Sequence, residues 1–177
     1  MKNAAVLIVD MQSALVKEHP NREGELIETI RSVAAAARGN GVELIYVRHC
    51  GRSGGMLERG AQGWEIHEAV APQPGEKIFD KRFNSAFRET GLREYLEGKG
   101  IKTIVLMGMQ TEYCIDATCK VAFEYGYGVV IPAGGSSTYD NALFAADKLQ
   151  LFYESFIWGS RFAKVIPADE VAWMLSE

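Results

Sequence analysis

Cys114 is the strongest candidate nucleophile in the chain, and the residues around it bear on whether it acts as one. It closes the stretch Gly108-Met-Gln-Thr-Glu-Tyr-Cys114, directly after the apolar run Thr103-Ile-Val-Leu-Met107. A helix capped by Thr111 would put Cys114 in its first turn. Partial positive charge at a helix start, with any nearby ammonium group, lowers a thiol's pKa and favours the thiolate. The same segment also fits a plain core stripe, because Cys114, Ala117, Thr118, Val121, Ala122 and Tyr125 recur at helical spacing.

Two other residues have types suited to the same chemistry. Asp10 ends the apolar run Val6-Leu-Ile-Val9, where a carboxylate is costly to bury unless it is paired or placed for use. A turn or capping role is the alternative, since Gln12 and Ser13 follow. Lys81, after Lys77-Ile-Phe79, either holds an aspartate from inside the fold or belongs to a solvated Asp80, Lys81, Arg82 cluster. His49 and His67 lack HxH, HExxH or Asp-x-His spacing, so no metal site is expected. No GxGxxG or GxxxxGK phosphate cradle occurs among the eighteen glycines, and no cofactor is expected.

The elements that would position these residues alternate along the chain. Val6–Val9, Glu43–Val47, Lys77–Phe79, Ile101–Met107, Tyr127–Ile131 and Ala163–Ile166 read as strands. Gly24–Arg38, Gly91–Glu97, Thr111–Tyr125, Asn141–Tyr153 and a terminal segment read as helices. Apolar strands without alternation, each followed by a helix, imply a sheet covered on both faces. The fold class is therefore α/β, a three-layer αβα arrangement of six mostly parallel strands, Rossmann-like, in one domain spanning residues 1–177. Ligands of such sheets bind beyond the carboxyl ends of the strands, where Asp10, His49, Asp80 to Lys81 and Gly108 to Cys114 all fall. The glycine-rich segment from Cys50 to Glu76 is long enough to be a lid or to hide a short helix.

Composition narrows the partners. Nineteen Lys and Arg against 23 Asp and Glu, net charge -4, leave no basic stripe for a phosphate backbone, so nucleic acid is not an expected partner. The apolar run Ala4–Val9 is short for a signal-peptide core, and no stretch reaches the roughly 18 apolar residues of a membrane span. The three cysteines show no CxxC pairing, which suits a reducing, cytoplasmic compartment. Phe152, Tyr153, Phe156 and Trp158 are expected as exposed aromatics of a homo-oligomer interface, or as residues packed on the sheet.

Three separated pieces carry a resemblance: VLIVDMQ, KRFNSAFRETGL and VLMGMQTEYCIDATCKVAFEYGY, with STYDN at Ser137 to Asn141 in the same order. Together they resemble the isochorismatase-like cysteine hydrolases, over nearly the whole chain. The run GMQTEYC with Gly63-Trp-Glu-Ile-His67 is most similar to the streptothricin hydrolase-like branch. The resemblance implies a catalytic triad of Asp10, Lys81 and Cys114 and a cis peptide between Met109 and Gln110. It also implies an oxyanion hole from the N–H groups of Gln110 and Cys114, and oligomeric assembly. Trp64, Gln12, Gln110 and Tyr113 are expected, on position and size, to bind a small-molecule substrate.

This chain reads His49-Cys50-Gly51 where the nicotinamidases of the superfamily carry an Asp-x-His metal pair, which removes the basis for a metal there. Vinyl-ether-cleaving members lack the cysteine, so Cys114 points to an amide or related C–N bond cleaved through a thioester. The alternatives are a vinyl-ether or ester hydrolase with Cys114 incidental, and a non-catalytic thiol sensor or binding protein.

Overall fold

A computed structural model describes residues 3–177. Its sheet runs β3-β2-β1-β4-β5-β7, every pairing parallel, with a two-residue strand β6 beside the end of β4. In chain order these strands are β1 (Ala4–Val9), β2 (Glu43–His49), β3 (Lys77–Lys81), β4 (Thr103–Met109), β5 (Gly128–Pro132), β6 (Ser136–Ser137) and β7 (Lys164–Ile166). The helices are α1 (Ser13–Val16), α2 (Glu23–Gly39), α3 (Leu92–Gly98), α4 (Asp116–Glu124), α5 (Ala146–Phe152) and α6 (Ala168–Ser176).

β1 is buried along its whole length because it lies between β2 and β4 and both faces are covered. Ala5, Leu7 and Val9 join the core layer with Ile115, Cys119 and Trp158, while Val6 and Ile8 join the other with Leu26, Ile30 and Val33 of α2. That period of two carries the three-layer architecture.

Several local expectations need correction. Residues 111–115 form a π-helical turn before α4, and the Thr111 hydroxyl does not cap it; its oxygen lies 2.9 Å from Ser136 Oγ, a partner supplied by the unforeseen β6. The helix expected from Asn141 begins at Ala146, because Asn141 Oδ1 accepts the N–H groups of Leu143 and Phe144 and Asp140 Oδ1 accepts that of Ala146. α5 then continues as a π-helical stretch, Tyr153–Phe162. Trp158 in that stretch is fully buried, its indole N–H donating to Asp116 Oδ1 at 3.0 Å, while Phe152 and Phe156 are exposed and stacked. The segment from Cys50 to Glu76 contains two short 3-10 turns and is tied down at its centre: Ser13 N–H donates to Glu65 O, and His67 N–H to Met11 O, each at 2.8 Å. Among the described residues no helix is long and apolar enough to cross a membrane.

Candidate active site

Strands β1, β3 and β4, with β2 between β3 and β1, bring side chains at or beyond their carboxyl ends to one point. β1 ends at Val9, and Asp10 turns out of it with φ 53°, a left-handed conformation that aspartate tolerates better than most residues. Its backbone N–H still donates to Val47 O at 2.8 Å, so the turn is anchored to β2. In β3 the side chains alternate. Asp80 faces Arg48 and Arg59, whereas Lys81 points inward and is 1% exposed.

β4 approaches β1 closely because residue 108 is glycine. A Cβ there would lie 2.0 Å from Val9 O, and its φ of 126° disfavours any other residue. The Met109–Gln110 peptide bond that follows is cis. The π-helical turn then lowers Cys114 to the same level as Asp10 and Lys81.

The Lys81 ammonium joins the group. Its Nζ lies 2.7 Å from Asp10 Oδ2, 3.1 Å from Cys114 Sγ and 3.3 Å from His49 Nδ1. Asp10 Oδ1 is buried without a hydrogen-bond partner among the described residues, and a carboxylate oxygen of Asp10 lies within 4.8 Å of Cys114 Sγ. Asn84 Oδ1 lies 4.0 Å from Cys114 Sγ.

Burial acts to lower the Lys81 pKa, but the Asp10 carboxylate and the contact with Cys114 outweigh it and hold the ammonium above its ordinary value. For Cys114, burial and then the Asp10 carboxylate push the thiol up to about 12, with Lys81 opposing. The lowered thiol pKa expected from a helix start is thus not found; desolvation and a neighbouring anion dominate. Resting Cys114 is a neutral thiol next to an available carboxylate oxygen.

The expected substrate-binding residues divide. Both hydrogens of the Gln12 amide are engaged, with His49 O at 3.0 Å and Trp64 O at 2.8 Å, and its oxygen accepts His49 N–H at 2.9 Å. Gln12 braces the strand ends and has no N–H left for a ligand. Trp64 is buried beneath the Arg48 guanidinium, 3.6 Å from the ring centroid, and its indole N–H meets Cys50 Sγ at 3.3 Å. Tyr113 is largely exposed and Gln110 partly so. A cavity of about 800 Å3 is walled by Arg59 and by Cys50, Gly51, Arg52, Arg82 and Phe83, chain neighbours of His49 and Lys81, and Asp10, Lys81 and Cys114 do not themselves line it. None of the four expected residues lines it.

Sequence reasoning gives Asn84 no role, and places His49 at a ligand-binding strand end without assigning it a function in the site. Asn84 stands three residues past Lys81 in the motif Lys-Arg-Phe-Asn-Ser-Ala-Phe, and that proximity was the available signal. His49 follows from register, since it pairs with Lys81 across β2 and β3.

Known proteins share both the sequence pattern and the architecture. Streptothricin hydrolase from Streptomyces noursei is 32% identical over 138 residues, covering 77% of this chain and 50% of that protein. The chain thus spans about half the length of that curated relative. Maleamate amidohydrolase from Pseudomonas putida is 41% identical over 64 residues, 36% of this chain and 30% of that protein. A cysteine hydrolase structure from Pseudomonas syringae pv. phaseolicola 1448A superposes with a TM-score of 0.89 at 25% identity, covering 98% of this chain and 92% of that one. Residues 4–170 match the isochorismatase domain, and the chain belongs to the isochorismatase family.

Proposed function

We propose that the protein is a hydrolase that cleaves an amide or related C–N bond of a small molecule, with Cys114 as nucleophile and Asp10 and Lys81 completing a triad. The observation that carries this reading is the buried Lys81 ammonium in contact with both a carboxylate and a thiol. The names of the relatives support it, since one is an amidohydrolase and one a cysteine hydrolase.

The chemistry begins from the neutral thiol. Asp10 Oδ1 takes the thiol proton as Sγ attacks the carbonyl carbon, so the thiolate develops only as the new C–S bond forms. The N–H groups of Gln110 and Cys114 hold the oxyanion. Collapse expels the amine or ammonia, which receives the proton from Asp10 and leaves a thioester. Asp10 then deprotonates water, hydroxide attacks the thioester, and the departing sulfur regains a proton. The balance is amide plus water to carboxylic acid plus amine. Lys81 supplies positive charge throughout, and Asn84 offers the bound amide a donor and an acceptor.

Residues facing the cavity, Arg52 and Arg82 among them, would meet the part of the substrate beyond the scissile bond. Cytoplasmic location and assembly through exposed Phe152 and Phe156 fit this reading. The test is acid quenching during turnover of an amide substrate, followed by peptide mass spectrometry. An acyl adduct on the Cys114 peptide is expected. Rapid turnover with no adduct on Cys114 in native protein, and none in an Asp10→Asn variant that turns over slowly, would exclude a thioester route.

A further inference from the structure

We propose that His49 is a positioning residue of this site, a neutral imidazole whose Nδ1 accepts the third Lys81 N–H and keeps the ammonium aimed at Asp10 and Cys114. An ammonium has three donors and no acceptor. Lys81 has three acceptors within reach: Asp10 Oδ2 at 2.7 Å, Cys114 Sγ at 3.1 Å and His49 Nδ1 at 3.3 Å. A ring nitrogen facing a protonated lysine accepts, which puts the imidazole proton on Nε2.

Three features build His49 into this place. Its Cα pairs with that of Lys81 in the parallel β2–β3 ladder, which sets both side chains on one face of the sheet. The fully buried Gln12 side chain grips the His49 backbone at both its N–H and its C=O. Burial, then the Lys81 charge, hold the ring below its ordinary pKa against the opposing pull of Asp10, so it stays neutral and free to accept.

The ligand atoms of Asp10, His49 and Cys114 all lie within 4.8 Å of one another, a spacing that suits a metal ion. The Lys81 ammonium already stands within hydrogen-bonding reach of all three residues. The chain's own cation therefore serves this cluster of acceptors, and His49 is the member the triad leaves out.

The catalytic consequence rests on the proposed hydrolase reading, but the contact can be tested without turnover. The ring tautomer of His49 is read by 15N NMR of the native protein near neutral pH. Iodoacetamide alkylation of Cys114 is followed by peptide mass spectrometry across pH in native, His49→Leu and His49→Asn proteins. The expected native tautomer carries the proton on Nε2. Leucine leaves a Lys81 N–H unpaired, loosens the charge that counters the upward shift of the thiol, and slows alkylation roughly threefold or more with the profile moved to higher pH. Asparagine restores the native profile, because its Oδ1 stands in for Nδ1. An Nδ1–H tautomer, or a leucine variant with the native profile, overturns the proposal. Should the leucine variant fail to fold, the tautomer alone decides. Neither readout uses a substrate, so a failure of the hydrolase reading leaves this result standing, and the reverse.

Discussion

Lys81 Nζ lies 2.7 Å from Asp10 Oδ2 with both side chains sealed from solvent. Two charges brought out of water at the ends of β3 and β1 bind those strand ends together, and the same nitrogen touches the Cys114 sulfur. Stability and the proposed chemistry thus draw on one contact.

Removing one member of such a pair strands the other charge in the interior. Lys81→Met is expected to destabilise the protein by about 3–5 kcal/mol in urea unfolding. The double variant Asp10→Asn/Lys81→Met should recover part of that loss, since it no longer buries a lone carboxylate. A double variant no more stable than Lys81→Met would show that the pair is not coupled.

The Gln12 amide ties β1, β2 and the 61–67 segment together through His49 and Trp64. Gln12→Leu leaves those backbone groups without their partner, at a cost of about 1–3 kcal/mol. Hydrogen exchange should quicken at His49 and around Trp64 and stay native in α2. Unchanged exchange at His49 would remove the bracing role assigned to Gln12.

Glycine 108 is required by contact and Gly24 is not. Gly108→Ala would drive a Cβ to within 2.0 Å of Val9 O, the residue before Asp10, and should lower stability by roughly 1–3 kcal/mol or more. Gly24, inside α2 with open space around it, should accept alanine with a gain of about 0.4–1 kcal/mol. Thermal melts of the two variants should move in opposite directions.

At alkaline pH the buried acids work against the fold. Cys114 and Cys119 are each pushed from an ordinary 9.0 to about 12, chiefly by burial. Above 9.0 the unfolded chain loses these protons while the folded one keeps them, so stability falls between about 9 and about 12. Cys119→Ala removes one contributor, and its unfolding free energy should fall less steeply with pH than that of the native protein over this window. Parallel curves would contradict the assignment for Cys119.

The strand ends that carry the site are readable where short apolar runs end in an aspartate or a glycine. Val6–Val9 before Asp10, and Thr103–Met107 before Gly108, announce buried strands and the carboxyl ends at which ligands gather. What stayed hidden depends on contacts between distant segments. The Lys81–His49 contact needs the β2–β3 register, Thr111's partner needs β6, and Gln12 is consumed by Trp64 and His49, residues 52 and 37 positions away. For Trp158 the sequence leaves open an exposed interface or packing on the sheet, and the structure takes the second. Its burial depends on Asp116, 42 positions earlier, accepting the indole N–H. The thiol pKa departs from the helix-start expectation for a similar reason: helix charge is a local quantity, whereas desolvation is set by the whole core.

The central claim, that Cys114 carries hydrolysis of a C–N bond, is tested most directly by ammonia or amine release across a broad panel of small amides and imides, native protein against Cys114→Ala. Release by the native protein that falls to the uncatalysed background in a normally folded Cys114→Ala variant is the predicted result. Full release by Cys114→Ala would contradict it.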